Sequence, residues 1–213
     1  MRIGLFGGRF DPPHLGHLLL AEQAREAAAL DRVLFVPAAD PPHKRAHAPA
    51  EDRLALVRIA TDDHPAFEVD DRELRRDGPS FSFDTVTSVR AERPDVDVVA
   101  LIGADAWAEI ETWHRAAELA RTVRFLVLPR PGTDPERLRT LPQPYRSAAT
   151  PLDAIPFGVS STEIRRRVRV GASLRYLMPD PVIEELARRR LYAAPHPDAT
   201  GRPGAPGGSE ERP

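Results

Sequence analysis

Two histidines three residues apart, His14 and His17, stand in the segment Gly7-Gly8-Arg9-Phe10-Asp11-Pro12-Pro13-His14-Leu15-Gly16-His17. It lies between a strand-like run and a helix-like run, which puts both imidazoles at the start of a helix and roughly on one side of it. Glycines let a backbone approach an anion, and a helix N-terminus offers unpaired N–H groups. Two imidazole donors beside such an end suit charge developing on a phosphoryl group, and neither has to be a general base. An isolated His-x-x-His could equally be a metal pair or two surface histidines, so its surroundings decide. A second element comes late, in Val159-Ser160-Ser161-Thr162-Glu163-Ile164-Arg165. Ser160 as N-cap, Glu163 closing a capping box and Val159 stapled to Ile164 explain a helix start there, the cap contributing about 1 kcal/mol. They leave three successive hydroxyls followed by Arg165 unexplained.

Joining residue 14 to residue 160 requires a scaffold, and the chain alternates short apolar runs with helical patterns. Arg2 to Phe6, Arg32 to Val36, Ala66 to Val69, Val96 to Ile102 and Val123 to Leu128 read as strands, nearly continuous in apolar character, as in parallel strands buried on both faces. His17 to Leu30, Glu51 to Thr61, Phe83 to Glu92 and Ala106 to Ala120, with a break near Thr112, read as helices. The alternation predicts an α/β fold, a single doubly wound, mostly parallel sheet, whose ligand site lies at the carboxyl ends of the strands. Prolines between Arg130 and Thr150 predict an irregular excursion, followed by a last short strand near Leu152 to Ile155. C-terminal helices are expected at Ser161 to Val170 and Pro181 to Arg190. Residues 1–192 read as one domain. Residues 193–213 read as a disordered tail: from Ala194 the segment holds five prolines and four glycines and nothing apolar larger than Ala, too little to offset its ordering entropy.

Composition removes several classes. With 213 residues and 41% hydrophobic content, the chain has enough for a domain-sized core. Its apolar runs fall far short of a membrane span. The N-terminus runs into glycines and Asp11-Pro12 without a signal-peptide core, so a cytoplasmic location is expected. The absence of cysteine removes thiol chemistry and disulfides. Thirty Lys and Arg against 32 Asp and Glu give no net positive field toward nucleic acid or anionic membrane. Arg166, Arg167 and Arg169 read as a solvated face rather than a nucleic-acid patch. The first turn lacks G-x-G-x-x-G and G-x-x-x-x-G-K-[ST], which excludes a dehydrogenase fingerprint and a Walker loop. Lys44 is the sole lysine, the other basic residues all being Arg, and there is no asparagine.

The turn resembles the G-G-x-F-D-P-x-H-x-G-H signature of the nucleotidyltransferase superfamily that transfers AMP or CMP, matching every fixed position. It departs at Arg9, where most relatives have Thr or Ser; a guanidinium there could reach a triphosphate or swing into solvent. The late segment is similar to that superfamily's I/V-S-S-T-x-I-R motif. Four further stretches resemble bacterial nicotinate mononucleotide adenylyltransferases: Pro41-Pro42-His43-Lys44 with Arg53 downstream; Gly78-Pro79-Ser80-Phe81-Ser82-Phe83-Asp84-Thr85, with Phe81 for Tyr and Ser82 for Thr; Gly103-Ala104-Asp105 followed by Trp113; and Tyr176-Leu177-Met178-Pro179 with Leu191-Tyr192. Singly each has a plain reading, Trp113 as core or Gly103-Ala104-Asp105 as a strand end with a helix cap. The resemblance rests on their occurring together and in order.

The resemblance implies adenylyl transfer from ATP to nicotinate mononucleotide, giving nicotinate adenine dinucleotide and pyrophosphate without a covalent enzyme intermediate. It makes His14, His17, Lys44 and Arg165 the catalytic set. Gly7, Gly8, Phe10, His14, Gly16, His17, Gly103, Asp105, Ser160, Ser161, Thr162 and Arg165 become ATP ligands. Lys44, Ser82, Phe83, Thr85, Trp113 and His114 become nicotinate mononucleotide ligands, with Trp113 stacking on the pyridine ring and backbone amides meeting its carboxylate. Mg²⁺ is implied to arrive with ATP, because the sequence shows no dedicated carboxylate cage. Pantetheine-phosphate adenylyltransferase, or a nucleotide sensor of the same fold without turnover, are the alternatives. Both would share the phosphate motifs.

Overall fold

The computed structural model describes residues 1–42, 45–129, 140–155 and 157–193. Lys44, most of the expected tail and the first part of the proline-rich excursion lie outside the described residues. The order is β1 (Arg2–Gly8), α1 (Leu15–Ala27), β2 (Arg32–Pro37), α2 (Ala50–Thr61), β3 (Phe67–Val69), α3 (Ser82–Glu92), β4 (Asp97–Gly103), α4 (Ala104–Ala108), a 3₁₀ turn (Ile110–Thr112), α5 (Ala116–Thr122), β5 (Arg124–Leu128), α6 (Tyr145–Ala148), β6 (Ala149–Pro151), α7 (Ser161–Arg169) and α8 (Asp180–Arg188). The strands form one sheet in the order β3-β2-β1-β4-β5-β6, and every pairing is parallel. No helix among the described residues is long and apolar enough to cross a membrane.

Alternation along each strand splits its apolar residues between two layers. Ile3, Leu5, Leu34, Val98, Ala100, Ile102, Phe125 and Val127 face α3, α4 and α5, around the fully buried Trp107. Phe6, Val33, Phe35, Leu101, Leu126 and Leu128 face α1 and α2. A third cluster joins α2 to α7 and α8 through Leu56, Ala60, Ile164, Met178, Val182 and Leu186. That cluster brings the C-terminal helices back beside the first turn.

Most boundaries shift by a residue or two, and two departures from the sequence reading have a cause in the packing. Helix α1 starts at Leu15 and ends at Ala27, three residues before the expected Leu30. Ala29 takes a left-handed φ of 48° and Leu30 is buried against Gly4, where an added Cβ would lie 2.6 Å from Leu30 Cδ1. The stop is therefore set by a notch in β1 and not by any local signal in a run of three alanines. The last strand is Ala149–Pro151, not Leu152 to Ile155. It is an edge strand paired only with β5, so it needs no apolar run and tolerates Pro151; Leu152 follows it, buried, its N–H donating to Val127 O at 2.9 Å.

Arg53 on α2 is 1% exposed and gathers the loops at the strand ends. Its Nη1 donates to Arg9 O at 2.7 Å, Nη2 to Ala38 O at 2.6 Å, and Nε to Ala48 O at 3.1 Å. Arg53→Met would keep the stem and strand these carbonyls. The expected loss is about 3–5 kcal/mol, read from guanidinium unfolding; a loss under about 1 kcal/mol would mean that water replaces the guanidinium freely.

Candidate active site

The β1–α1 turn is built on tight contacts. Phe10 has φ 44°, and its ring covers Gly8, where a Cβ would approach Phe10 Cζ to 3.1 Å. The ring packs with Phe6, His17 and Phe35 at 5.4, 5.1 and 5.7 Å. His14 is the N-cap residue of α1 in extended conformation and His17 its third helical residue. Their rings stack at 3.8 Å with 30° between planes. A Cβ on Gly16 would lie 3.0 Å from His14 Nδ1, so glycine is what lets the His14 ring settle on the helix. The His14 N–H donates to His17 Nδ1 at 3.2 Å. Nδ1 must then carry a lone pair, which in the neutral ring leaves the proton on Nε2 as a donor.

Asp11, 1% exposed, is the buried anion behind this turn. Its carboxylate accepts from the His47 N–H at 2.8 Å, the His47 ring Nδ1 at 3.0 Å, the Ala48 N–H at 3.1 Å and the Tyr192 hydroxyl at 2.8 Å. Burial pushes its pKa up, but these hydrogen bonds outweigh burial and hold it below the ordinary carboxylate value. Arg165, 6% exposed, donates to Asp11 O at 2.6 Å and to Thr162 Oγ1 at 3.1 Å, with a guanidinium nitrogen 3.7 Å from the Asp11 carboxylate.

In front of the turn lies a cavity of about 250 Å³, lined by Gly7, Gly8, Arg9, Phe10, His14, Gly16, His17, Gly103, Phe157, Ser161 and Thr162 among others. It opens at the carboxyl ends of β1, β4 and β5, the position a parallel sheet reserves for ligands. Of the residues expected at a nucleotide, nine line it together. Three do not. Ser160 caps α7, accepting from Glu163 N–H at 3.2 Å. Asp105 sits exposed in the first turn of α4. Arg165 stands behind the wall, holding Asp11 and Thr162. Arg9, left open by the sequence, is on the lining. Phe157 is there too, with no sequence signal beyond its place just before the Ser-Ser-Thr run.

Of the residues expected at the second substrate, Lys44 lies outside the described residues, and Ser82, Phe83, Trp113 and His114 come together. Ser82 and Phe83 open α3. Phe81 stacks on His114 at 4.3 Å, and the Arg115 guanidinium lies 3.8 Å from the centre of the Phe83 ring. This brings 81–83 against 113–115, with Trp113 partly buried on the core. Thr85 points elsewhere: it is 2% exposed, and its hydroxyl donates to Glu73 Oε1 at 2.6 Å. Glu73 carried no signal, lying in a charge-rich run that reads as solvent-facing. It is 6% exposed, and burial drives its carboxyl pKa up against the pull of Thr85, Ser80 and Arg76. Ser80 Oγ in turn accepts from the Ala39 and Asp40 N–H groups at 3.0 and 3.2 Å.

Residues 5–167 match the cytidylyltransferase-like family. A "probable nicotinate-nucleotide adenylyltransferase" of Synechococcus sp. is 42% identical over 198 residues, covering 91% of this chain and 96% of its own length. One of Thermus thermophilus is 44% identical over 197 residues, covering 90% and 100%. The chain belongs to the nicotinate-nucleotide adenylyltransferase family. The fold is also that of Plasmodium falciparum nicotinic acid mononucleotide adenylyltransferase complexed with NaAD, with a TM-score of 0.74 at 16% identity, over 90% of this chain and 97% of that one.

In this family member the depressed Asp11 pKa has a consequence for stability. A carboxyl whose folded pKa lies below its unfolded value, near 3.9, stabilises fully above that range and loses its contribution as pH falls through the folded value. Asp11→Asn should therefore flatten the acid limb of the Tm against pH curve as pH falls below the unfolded value near 3.9. An acid limb superposing on that of the wild type would remove Asp11 from this role.

Proposed function

We propose that the protein transfers the adenylyl group of ATP to nicotinate mononucleotide, releasing pyrophosphate and forming nicotinate adenine dinucleotide. The observation that carries this reading is the stacked His14–His17 pair lining one cavity together with Ser161 and Thr162 at the start of α7, where Ser161 Oγ donates to Pro12 O at 2.9 Å and Thr162 Oγ1 accepts from Arg165. The mononucleotide phosphate oxygen attacks the α-phosphorus of ATP in line, the bond to the bridging oxygen breaks, and pyrophosphate leaves with the electron pair. No protein nucleophile is needed, so positioning and charge stabilisation supply the rate.

His17 Nε2 donates to the phosphoryl oxygens as charge builds, and His14 supports the polyphosphate beside it. Ser161 and Thr162, with the open N-terminus of α7, take the β- and γ-phosphates. Arg165 adds positive charge from behind the wall and orients Thr162, and Lys44 is assigned to the acceptor phosphate. Gly7 and Gly103, with open space where a Cβ would be, leave room for the nucleotide, Gly8 and Gly16 make room for the Phe10 and His14 rings beside it, and Asp105 meets its ribose. Trp113 stacks on the pyridine ring while N–H groups around Ser82–Phe83 and Trp113–His114 donate to its carboxylate, which as an anion binds donors more strongly than a carboxamide. Among the described residues no group of three or more His, Asp or Glu is placed to hold a metal ion; a divalent cation such as Mg²⁺ would be held by the polyphosphate and neutralise charge on the leaving pyrophosphate.

Pyrophosphate release is measured with ATP and Mg²⁺ against nicotinate mononucleotide, nicotinamide mononucleotide and phosphopantetheine in parallel. Release with the first acceptor alone is expected. Release with phosphopantetheine would overturn the acceptor assignment, and nucleotide affinity without release from any acceptor would make the protein a sensor. In the same assay His17→Ala should lower kcat by about 10²-fold or more with an unchanged circular dichroism spectrum. Near-normal turnover would remove His17 from the reaction.

A further inference from the structure

Tyr192 lies 181 residues from the phosphate-binding turn in sequence, yet its hydroxyl donates to Asp11 Oδ1 at 2.8 Å. It follows α8 in a left-handed backbone conformation, φ 61°, and packs at the rim of the cluster formed by α2, α7 and α8. Helix α8 is itself fixed to α2 by the Arg189–Asp52 ion pair. The phenol thus stands on a rigid base and reaches into the turn. Its hydroxyl shares the Asp11 carboxylate with the backbone and ring of His47 and the N–H of Ala48, and the Arg53 and Arg165 guanidiniums lie close by.

We propose that Tyr192 is a positioning residue for adenylyl transfer: its hydroxyl orients the Asp11 carboxylate, and through Asp11 it locks residues 45–49 onto the turn that carries His14 and His17. An Asp carboxylate can rotate about its last torsion, and only a full set of donors fixes it. Two backbone N–H donors from one short segment leave it free to tilt with that segment. The phenol supplies the one hydrogen bond to the carboxylate from beyond α8, beside the Arg165 guanidinium of α7, which bonds Asp11 O and lies 3.7 Å from the carboxylate. Burial and the neighbouring Asp11 charge push the Tyr192 pKa well above its ordinary value, which keeps the proton on the hydroxyl throughout the working range. Tyr192 touches neither reacting atom. It sets where the histidines stand relative to the segment that follows Lys44, and a misplacement of 1 Å between such groups can cost up to about 10²-fold in rate.

The kinetic arm of the test rests on the adenylyl-transfer reading; the exchange arm does not. Full-length Tyr192→Phe keeps the ring and removes the hydroxyl, and Leu191→Ala, which loosens the same helical cluster without touching Asp11, serves as the packing control. For Tyr192→Phe, kcat is expected to fall about tenfold at unchanged KM for ATP. The His47 and Ala48 amides should exchange about tenfold faster, with Tm within a few degrees of wild type. Leu191→Ala should lower Tm and leave kcat and those amides unchanged. Wild-type kcat and exchange in Tyr192→Phe would overturn the proposal, as would loss of kcat in both variants in proportion to Tm. Where wild type itself releases no pyrophosphate the function assignment falls, and the exchange rates of His47 and Ala48 alone decide: unchanged exchange in Tyr192→Phe refutes the positioning role.

Discussion

The phosphate-binding turn depends on a single buried anion. Asp11 lies between the strand that sets the sheet and the helix whose first turn carries both histidines, and it has no solvent to stabilise its charge. A carboxylate in that position is tolerable only when its lone pairs are filled by donors and a cation is near. The donors come from His47, Ala48 and Tyr192, and the nearby positive charge from Arg165. The requirement to satisfy one charge therefore draws together three chain segments far apart in sequence. The order of the turn follows from that requirement more than from any preference of its own residues: Phe10 accepts a left-handed φ, and His14 caps a helix without the short oxygen-bearing side chain usual there.

Arg53 and Arg165 divide the supporting work. Both are nearly inaccessible, and burial lowers the pKa of each, although each remains a cation. Arg53 spends its donors on neutral carbonyls of the loops leaving β1 and β2. Arg165 spends its donors on Asp11 O and the Thr162 hydroxyl. A surface ion pair such as Arg166–Glu163 contributes little, because water competes for both partners. The two buried guanidiniums have no such competitor. They fix loops that a parallel sheet otherwise leaves as unpaired ends.

Much of this was legible in sequence because the strong signals were local. Five apolar runs at parallel-strand length mark five of the six strands, and the resemblance of the first turn and the Ser-Ser-Thr run to one superfamily points to residues that line one cavity. What was not legible depended on long-range pairing. The end of α1 is decided by the Gly4 notch that receives Leu30, and the edge strand at Ala149–Pro151 has no apolar pattern to betray it. Glu73 sits in Asp70-Asp71-Arg72-Glu73-Leu74-Arg75-Arg76, a run any periodicity would assign to solvent. Its burial comes from Thr85 and Ser80, which lie seven or more residues further along the chain. Likewise Arg165 and Thr85 occupy motif positions that suggest contact with ligand, whereas their hydrogen bonds are directed at Asp11 and Glu73.

The two halves of the site are held by separate hydrogen-bond systems, one centred on Asp11 and one on Glu73. They meet at residues 38–40. Arg53 Nη2 donates to the carbonyls of Ala38 and Ala39, while the N–H groups of Ala39 and Asp40 donate to Ser80 Oγ. This short exit from β2 is therefore bonded to the first turn, through Arg53 and through the Ala38 N–H donating to Gly8 O at 2.9 Å, and to residue 80, through Ser80 Oγ and through the Ser80 N–H donating to Asp40 O at 2.9 Å. In-line transfer needs the attacking oxygen and the α-phosphorus aligned to a fraction of an ångström. A joint that fixes both loops to one strand end, itself paired with β1 at Gly8↔Pro37, meets that need, with the Arg53 guanidinium and the Ser80 hydroxyl each held by two bonds to its backbone. The side chains that do the chemistry can then be few, because the scaffold has already settled their relative positions.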